Sequence, residues 1–122
     1  MSTWNLTTTK HHVLICNGGS CKREGAELIT QAIRNEITAQ GLDSLIHTSR
    51  TLCNGRCNDK CVVIAYPEGH WYKHVKPEDS SALITSLFTP QSLQQKISHM
   101  HNGNHFVLTS DVITGETKPS NN

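Results

Sequence analysis

Four of the five cysteines in this chain fall into two closely spaced pairs. Cys16 and Cys21 form a C-x₄-C pair, and Cys53 and Cys57 form a C-x₃-C pair. Thiolates grouped in this way bind metal, and four of them are the usual ligands of a [2Fe–2S] centre. The pairs therefore predict one site at which four sulfur atoms meet.

Other uses of these thiols stay open from the spacing alone. A structural zinc ion accepts similar spacings. Dithiol chemistry is less favoured, because its C-x-x-C signature is absent, and four independent buried thiols are a further alternative. The fifth cysteine, Cys61, opens an apolar run. Free cysteine is often buried as a small hydrophobic residue, so we expect Cys61 not to be a ligand.

Length and charge narrow the class of protein. The chain has 122 residues, which fits one domain, and its net charge of +1 argues against general binding to nucleic acids or membranes. No apolar stretch approaches the ~18 residues of a membrane span, and the first ten residues do not resemble a secretion signal. We therefore expect a cytoplasmic protein, whose cysteines stay reduced rather than forming disulfides.

The hydrophobic pattern predicts an α/β fold in which helices cover a small four-stranded sheet, a thioredoxin-like layout. Expected strands span residues 12–16, 45–48, 61–66 and 71–75, and expected helices span 21–40, about 77–88 and 90–100. Ser20 is the expected N-cap of the first helix and Gly41 its end. The spacing of three and four residues predicts one buried apolar stripe on this helix, formed by Ala26, Ile29, Ile33 and Ile37. Phe88 is expected on the buried face of the second helix.

The elements place one cysteine pair at the first strand–helix junction and the other in the loop before the third strand. We expect the two loops to meet if the second strand runs opposite to the first. Gly18, Gly19 and Gly55 would let backbone N–H groups approach the sulfur atoms. A helix N-terminus next to Cys21 would stabilise its thiolate.

Charged residues and histidines surround these motifs. The cations that flank the cysteines in the sequence are Lys10, Lys22, Arg23, Arg50, Arg56 and Lys60, opposed by Glu24 and Asp59. A partner protein with an acidic docking face is therefore expected. The eight histidines are scattered, and we interpret them as ordinary surface residues.

Beyond the cysteine pairs, the chain carries a Tyr-Pro-Glu-Gly turn at residues 66–69 and a Pro-Glu-Asp helix start at 77–79. Together these motifs resemble the thioredoxin-like [2Fe–2S] ferredoxins over residues 11–100. They are more distantly similar to the cluster-bearing small subunit of respiratory complex I and of bidirectional hydrogenases. The resemblance implies that Cys16, Cys21, Cys53 and Cys57 ligate one [2Fe–2S] cluster, and that the chain forms homodimers.

The function implied is electron transfer between redox partner proteins, not enzymatic catalysis. The alternatives are a non-redox binding module with a four-cysteine zinc site and a sensor of cluster or thiol state. The expected organisation is an N-terminal extension over residues 1–10, the ferredoxin domain over 11–103 and a partly disordered tail over 104–122. Cys61 departs from the family pattern, which often has proline at that position.

Overall fold

A computed structural model describes residues 3–89, 93–109 and 114–119. The helices are α1 (Gly19–Arg23), α2 (Ala26–Ala39) and α3 (Ser80–Ser86). The strands are β1 (His11–Cys16), β2 (Ile46–Thr51), β3 (Val63–Tyr66), β4 (His70–Tyr72), β5 (Ile97–His101) and β6 (Phe106–Leu108). Short 3₁₀ turns occupy Cys57–Asp59, Pro77–Asp79 and Gln94–Lys96.

The six strands form one sheet in the order β2-β1-β3-β4-β5-β6, in which only β1 and β2 are parallel. The α/β fold is confirmed, but the expected number of four strands is wrong. The helix expected over 90–100 is replaced from Ile97 onward by β5, which pairs with β4 and β6. Its residues 90–92 lie outside the described residues. Cross-strand pairing with β4 decided the structure here, and local spacing could not reveal it.

The direction of β2 also differs from the expectation. It runs parallel to β1, with Cys16 opposite Thr51, and β3 runs antiparallel, with Ile15 opposite Val63. Strands β1 and β2 therefore end at the same end of the sheet at which β3 begins. The two cysteine loops meet there, although β2 does not run opposite to β1 as expected.

The single helix expected over 21–40 is two helices. Gly25 has a φ of 104°, a left-handed conformation that glycine adopts without strain, and it separates α1 from α2. Gly18 rather than Ser20 is the N-cap of α1. The predicted buried stripe of α2 is confirmed, and the helix ends just before Gly41, whose φ is also positive.

The hydrophobic core lies on one face of the sheet. Paired positions of neighbouring strands share a face, so Ile15, Val63 and Tyr72 point the same way, and all three are buried. The Tyr72 hydroxyl lies 2.8 Å from Ser86 Oγ of α3, which places the helices on this side.

The opposite face carries Leu14, Ile64, Trp71, His99 and Leu108, and we call it the open sheet face.

Phe88, which was expected on the buried face of the second helix, follows α3 and is 48% exposed. Within the described ranges, no helix has the length and apolar character needed to cross a bilayer.

Candidate metal centre

The four predicted ligands line one small pocket at the end of the sheet where β1 and β2 end. Cys16 closes β1, Cys21 lies in α1, and the loop after β2 supplies Cys53 and Cys57. The pocket is lined by Cys16, Gly18, Ser20, Cys21, Cys53, Asn54, Arg56, Cys57 and Val62. The sheet topology has therefore brought together side chains that are up to 41 positions apart in the sequence.

Gly18 permits the contact between the two loops. A Cβ atom at this position would lie 2.7 Å from both the Cα and the backbone nitrogen of Cys53. Real Cβ atoms do not approach backbone so closely, so any side chain here would push the second loop away. Gly18 was expected to let a backbone N–H approach sulfur. The structure shows that it also leaves room for the backbone of Cys53.

The cysteines differ in exposure. Cys16 and Cys21 are buried, with 4% and 3% of their surface exposed, whereas Cys53 and Cys57 are exposed. The sulfur atoms of Cys53 and Cys57 lie 3.6 Å apart. Two thiolates that share one tetrahedral metal at about 2.3 Å would be separated by about 3.8 Å. The exposed pair is therefore already spaced to bind a single metal ion.

Backbone groups already contact the sulfur atoms. The Gly55 N–H donates to Cys53 Sγ over 3.3 Å, as expected for a glycine in this loop. The Cys16 thiol, in contrast, donates to the Leu52 carbonyl oxygen over 3.6 Å, which stabilises its protonated form. Hydrogen bonds donated to a thiolate stabilise its negative charge, which metal binding requires.

The two buried thiols differ in acidity. Burial would raise the pKa of Cys16, but hydrogen bonds from the Gly18 N–H, the Cys21 thiol and Asn54 together bring that pKa below its ordinary value. Burial and the neighbouring Cys16 thiol raise the pKa of Cys21 to about 12, despite a hydrogen bond from the Val62 backbone. The Cys16 thiol is therefore more acidic than the Cys21 thiol in the metal-free protein. Burial is the largest influence on the Cys21 thiol, and it opposes the stabilisation expected from the N-terminus of the helix.

The donor set fits a two-iron cluster better than one zinc ion. A zinc ion would need all four sulfur atoms around a single centre. Across residues 3–89, 93–109 and 114–119, no three His, Cys, Asp or Glu side chains are arranged to hold one ion. A buried pair and an exposed pair on either side of one pocket instead match two irons that take two thiolates each.

Cys61 lies behind this pocket and does not line it. It is 4% exposed, and its Sγ lies 3.4 Å from the Cys21 carbonyl oxygen. Burial raises the pKa of its thiol, as it does that of Cys21, so acidity does not distinguish the two residues. The peptide bond between Lys60 and Cys61 is cis, and strand β3 begins two residues later.

The cations around the site are fewer than the sequence suggested. Lys10 precedes β1 and lies at the opposite end of that strand, about 20 Å from Cys16 at 3.3 Å per residue. Arg50 pairs with Glu27 at 3.4 Å, and Arg56 pairs with the buried Asp59 at 2.8 Å. The remaining exposed cations of the set are Lys22, Arg23 and Lys60.

The histidines lie elsewhere on the sheet. His11 pairs with Glu68 at 2.7 Å, and the rings of His12 and His47 lie 5.1 Å apart across β1 and β2. His99 and His101 share a face of β5, because that segment is a strand and not the expected helix. No histidine lines the four-cysteine pocket.

One contact of the site was missed by sequence reasoning. Arg56 NH1 donates to the carbonyl oxygen of Thr114 over 3.1 Å. The two residues are 58 positions apart, and Thr114 belongs to the stretch interpreted as tail. A backbone carbonyl carries no residue-type signal, so the sequence offered no means of finding this contact.

Comparison with curated proteins places the chain among known relatives, although no family model matches it. It is 46% identical over 125 residues to a Priestia megaterium protein assigned as a 2Fe-2S ferredoxin, an alignment covering 100% of this chain and 98% of the relative. A 2Fe-2S ferredoxin of Aquifex aeolicus is 33% identical over 82 residues, covering 60% of this chain and 74% of the relative.

Solved structures share the fold. The thioredoxin-like [2Fe-2S] ferredoxin of Aquifex aeolicus superimposes with a TM-score of 0.70 at 26% identity, covering 75% of this chain and 93% of the other. An NAD⁺-reducing [NiFe]-hydrogenase chain, at 11% identity and a TM-score of 0.51, shares the fold over 71% of this chain and 16% of its own length. The full-length relative and the shared fold show that this chain belongs to the thioredoxin-like [2Fe–2S] ferredoxin family.

Proposed function

We propose that Cys16, Cys21, Cys53 and Cys57 hold one [2Fe–2S] cluster and that the protein carries single electrons between redox partner proteins. The observation that carries this proposal is the pocket lined by all four cysteines, with one pair buried and the other exposed. The names of the relatives support the cofactor and the role of electron carrier rather than enzyme.

The residues of the chain have distinct roles in this proposal. Cys16 and Cys21 would hold the cluster from the buried side of the pocket, and Cys53 and Cys57 would hold it from the exposed side. When bound, the cluster supplies reversible one-electron chemistry. The Gly55 N–H reduces the negative charge on Cys53 Sγ. The short path from solvent to the exposed pair makes this end the expected point of electron entry and exit.

The partner is proposed to dock through an acidic face. Lys22, Arg23 and Lys60 are the exposed cations near the pocket, and Leu52, which is 83% exposed, precedes the first exposed ligand. Charge complementarity of this kind speeds encounter more than it strengthens the complex. The rate of association with the partner is therefore expected to fall as salt rises, because exposed charges are screened within ~8–10 Å at physiological ionic strength.

A second copy of the chain is the proposed occupant of part of the open sheet face. Tyr66, Phe106 and Leu108 are 37%, 40% and 47% exposed there, and exposed apolar side chains on one face are candidates for an interaction surface. A face that pairs with its own copy gives a closed two-fold dimer. Equilibrium sedimentation should give the mass of a dimer, and Leu108→Glu should shift it to that of a monomer.

The domain bounds and the location remain part of the proposal. The ferredoxin domain is proposed to begin at residue 11 and to extend past the expected boundary at 103, because β6 pairs with β5 at residues 106–108. A cytoplasmic location is proposed because a reducing compartment keeps thiols available to bind iron.

The decisive experiment is a visible and EPR spectrum of the purified protein, combined with iron, sulfide and zinc analysis. Two irons and two sulfides per chain, with a red-brown colour and an EPR signal on reduction, are expected. A colourless protein with one zinc per chain would establish the structural zinc site instead. A metal-free protein whose thiols respond to oxidants would favour a sensor of thiol state.

A further inference from the structure

Arg56 lies in the loop that carries the two exposed cysteines, directly before Cys57, and its guanidinium donates in two directions. Its Nε donates to Asp59 Oδ2 over 2.8 Å, and its NH1 donates to the Thr114 carbonyl oxygen over 3.1 Å. The side chains of Arg56 and Asp59 are 14% and 4% exposed. A guanidinium can hold two acceptors at fixed angles, which a lysine ammonium cannot reproduce.

Asp59 connects this arrangement to the body of the domain. Its backbone N–H donates to the Arg56 carbonyl oxygen over 2.9 Å, and its own carbonyl accepts from the His74 N–H over 2.8 Å. Arg56 therefore joins three parts of the chain: the cysteine loop, the segment before β3 and the C-terminal segment. We use the term C-terminal segment for residues 114–119.

We infer that the C-terminal segment is a working part of the metal centre, in which the Thr114 carbonyl positions Arg56 and thereby holds the loop of Cys53 and Cys57 closed around the cluster. The inference rests on the proposed ligand set. It assigns a function to a stretch that composition alone describes as a tail. The segment acts on the loop that carries Cys53 and Cys57. Its effect is to slow the loss of the cluster from the protein.

The conformation of Gly115 supports a specific contact between the C-terminal segment and Arg56. Its φ is +78°, and a Cβ atom built on it would lie 3.4 Å from Arg56 NH1. The backbone therefore turns in a conformation suited to glycine at the point of closest approach to the guanidinium. A side chain at this position would strain the turn that presents the Thr114 carbonyl to the arginine.

The surroundings of Thr114 show where the segment lies. Thr114 and Arg56 line a pocket together with Trp71, His99 and Phe106. Trp71 and His99 belong to the open sheet face, so the segment lies at the end of that face next to the cysteine loop. The indole nitrogen of Trp71 is buried at this point.

The position explains why the contact affects the exposed cysteines and not the buried pair. Cys16 and Cys21 are held by β1 and α1, whereas Cys53 and Cys57 are in a loop with one 3₁₀ turn. Loss of one hydrogen bond to a charged group should therefore increase opening of that loop. Iron would then be exposed to solvent and chelators more often.

The test compares two truncations of the loaded protein. One ends at Thr109 and lacks the C-terminal segment, and the control ends at Pro119 and keeps it. Each is mixed with an excess of an iron chelator, and loss of the visible spectrum is followed with time. We expect cluster loss to be roughly three- to tenfold faster in the first truncation and unchanged in the control. A folded first truncation with the full-length rate would overturn the inference.

A second pair of variants keeps the chain length constant. Gly115→Ala should speed cluster loss, whereas Gly41→Ala should not, although both glycines have positive φ and only Gly115 approaches Arg56. This pair decides the question if the truncated protein does not fold. Equal rates for the two variants would contradict a role for the Gly115 contact.

A double variant tests whether Arg56 transmits the effect. In an Arg56→Lys background, removal of residues 110–122 should cause no further acceleration, because the bridge is already absent. Full additivity of the two changes would overturn the inference. Hydrogen exchange of the metal-free protein supplies an independent measurement. Amides of residues 54–58 should exchange faster in the first truncation, and equal exchange would count against the inference even if no cluster binds to these cysteines.

Discussion

The two cysteine pairs occupy contrasting environments. Cys16 at the end of β1 and Cys21 within α1 are almost fully buried, and Cys53 and Cys57 are exposed in a loop. The inner pair depends on the fold of β1 and α1. The outer pair depends on the close approach at Gly18 and on the loop contacts around Arg56.

This contrast separates two requirements of an electron carrier. A buried pair keeps solvent away from one end of the cluster and attaches it to the core. An exposed pair leaves the other end within reach of a partner protein. The same pocket can thus provide both a firm attachment and a short path for the electron. Changes to each pair should therefore have different consequences.

The largest effect is expected from Cys→Ser substitution at each of the four positions, which should remove the cluster or leave little of it, because one iron loses a ligand. The pairs should differ in the metal-free protein. Cys16→Ser and Cys21→Ser should lower the free energy of unfolding by about 1–3 kcal/mol, since each buries a hydroxyl. Cys53→Ser and Cys57→Ser should change it by under about 0.5 kcal/mol.

Iron and sulfide analysis checks the first part of this prediction, and urea unfolding of the metal-free proteins checks the second. A variant with the cluster content and spectrum of the unchanged protein would remove that cysteine from the ligand set. Equal stability of all four metal-free variants would break the contrast between the pairs.

Gly18→Ala should have the next largest effect, because the added methyl group would push the loop of Cys53 and Cys57 away from Cys16 and Cys21. The added methyl group would lie 2.7 Å from the backbone of Cys53, so the second loop must move. We expect strongly reduced cluster content and a loss of about 1–3 kcal/mol in unfolding free energy. Gly19→Ala is the matched control, since the nearest atom there is the end of the flexible Arg23 side chain at 3.4 Å. Equal cluster content in the two variants would contradict the packing argument.

Cys61→Ala should leave the cluster in place with an unchanged visible spectrum, because Cys61 does not line the pocket of the two pairs. A modest loss of stability, about 1 kcal/mol, is expected from the small cavity left behind. The spectrum and iron content of the variant provide the test. A colourless protein with a normal fold would show instead that Cys61 is a ligand.

The smallest expected effect concerns the charge near the exposed pair. Lys22→Gln should slow oxidation of the reduced protein by ferricyanide, an anion, by roughly twofold at low salt, and added salt should abolish the difference. Lys10→Gln serves as the control because Lys10 lies at the far end of β1. Stopped-flow rates over a range of salt concentrations provide the measurement. Equal slowing in both variants would show that no local field acts at the exposed pair.

Local patterns predicted much of this molecule. The apolar stripe of α2 and the turn after it were correctly predicted because helical periodicity and glycine conformation are properties of neighbouring residues. The same holds for the start of the helix at Pro77, which the structure places in a 3₁₀ turn leading into α3. The cysteine spacing predicted that the thiols would form a site, and in the structure the four cysteines line one pocket.

Pairings across long distances were not accessible in this way. Strand β5 was mistaken for a helix because Leu93, Ile97 and Met100 also fit a helical spacing, and only pairing with β4 and β6 decides between the two. The predicted direction of β2 was wrong because the sequence of a strand does not indicate whether it runs parallel or antiparallel to its neighbour.

The sequence by itself determined which residues can bind metal and how the ordered elements around them begin. Only the tertiary structure decided which thiols are buried and which cations remain available to a partner. Arg50 and Arg56 flank the cysteines in the sequence, and only the fold shows that Glu27 and Asp59 pair with them. The physical reason is that burial and ion pairing depend on distances in space, and the chain sets those distances only after distant segments have packed together.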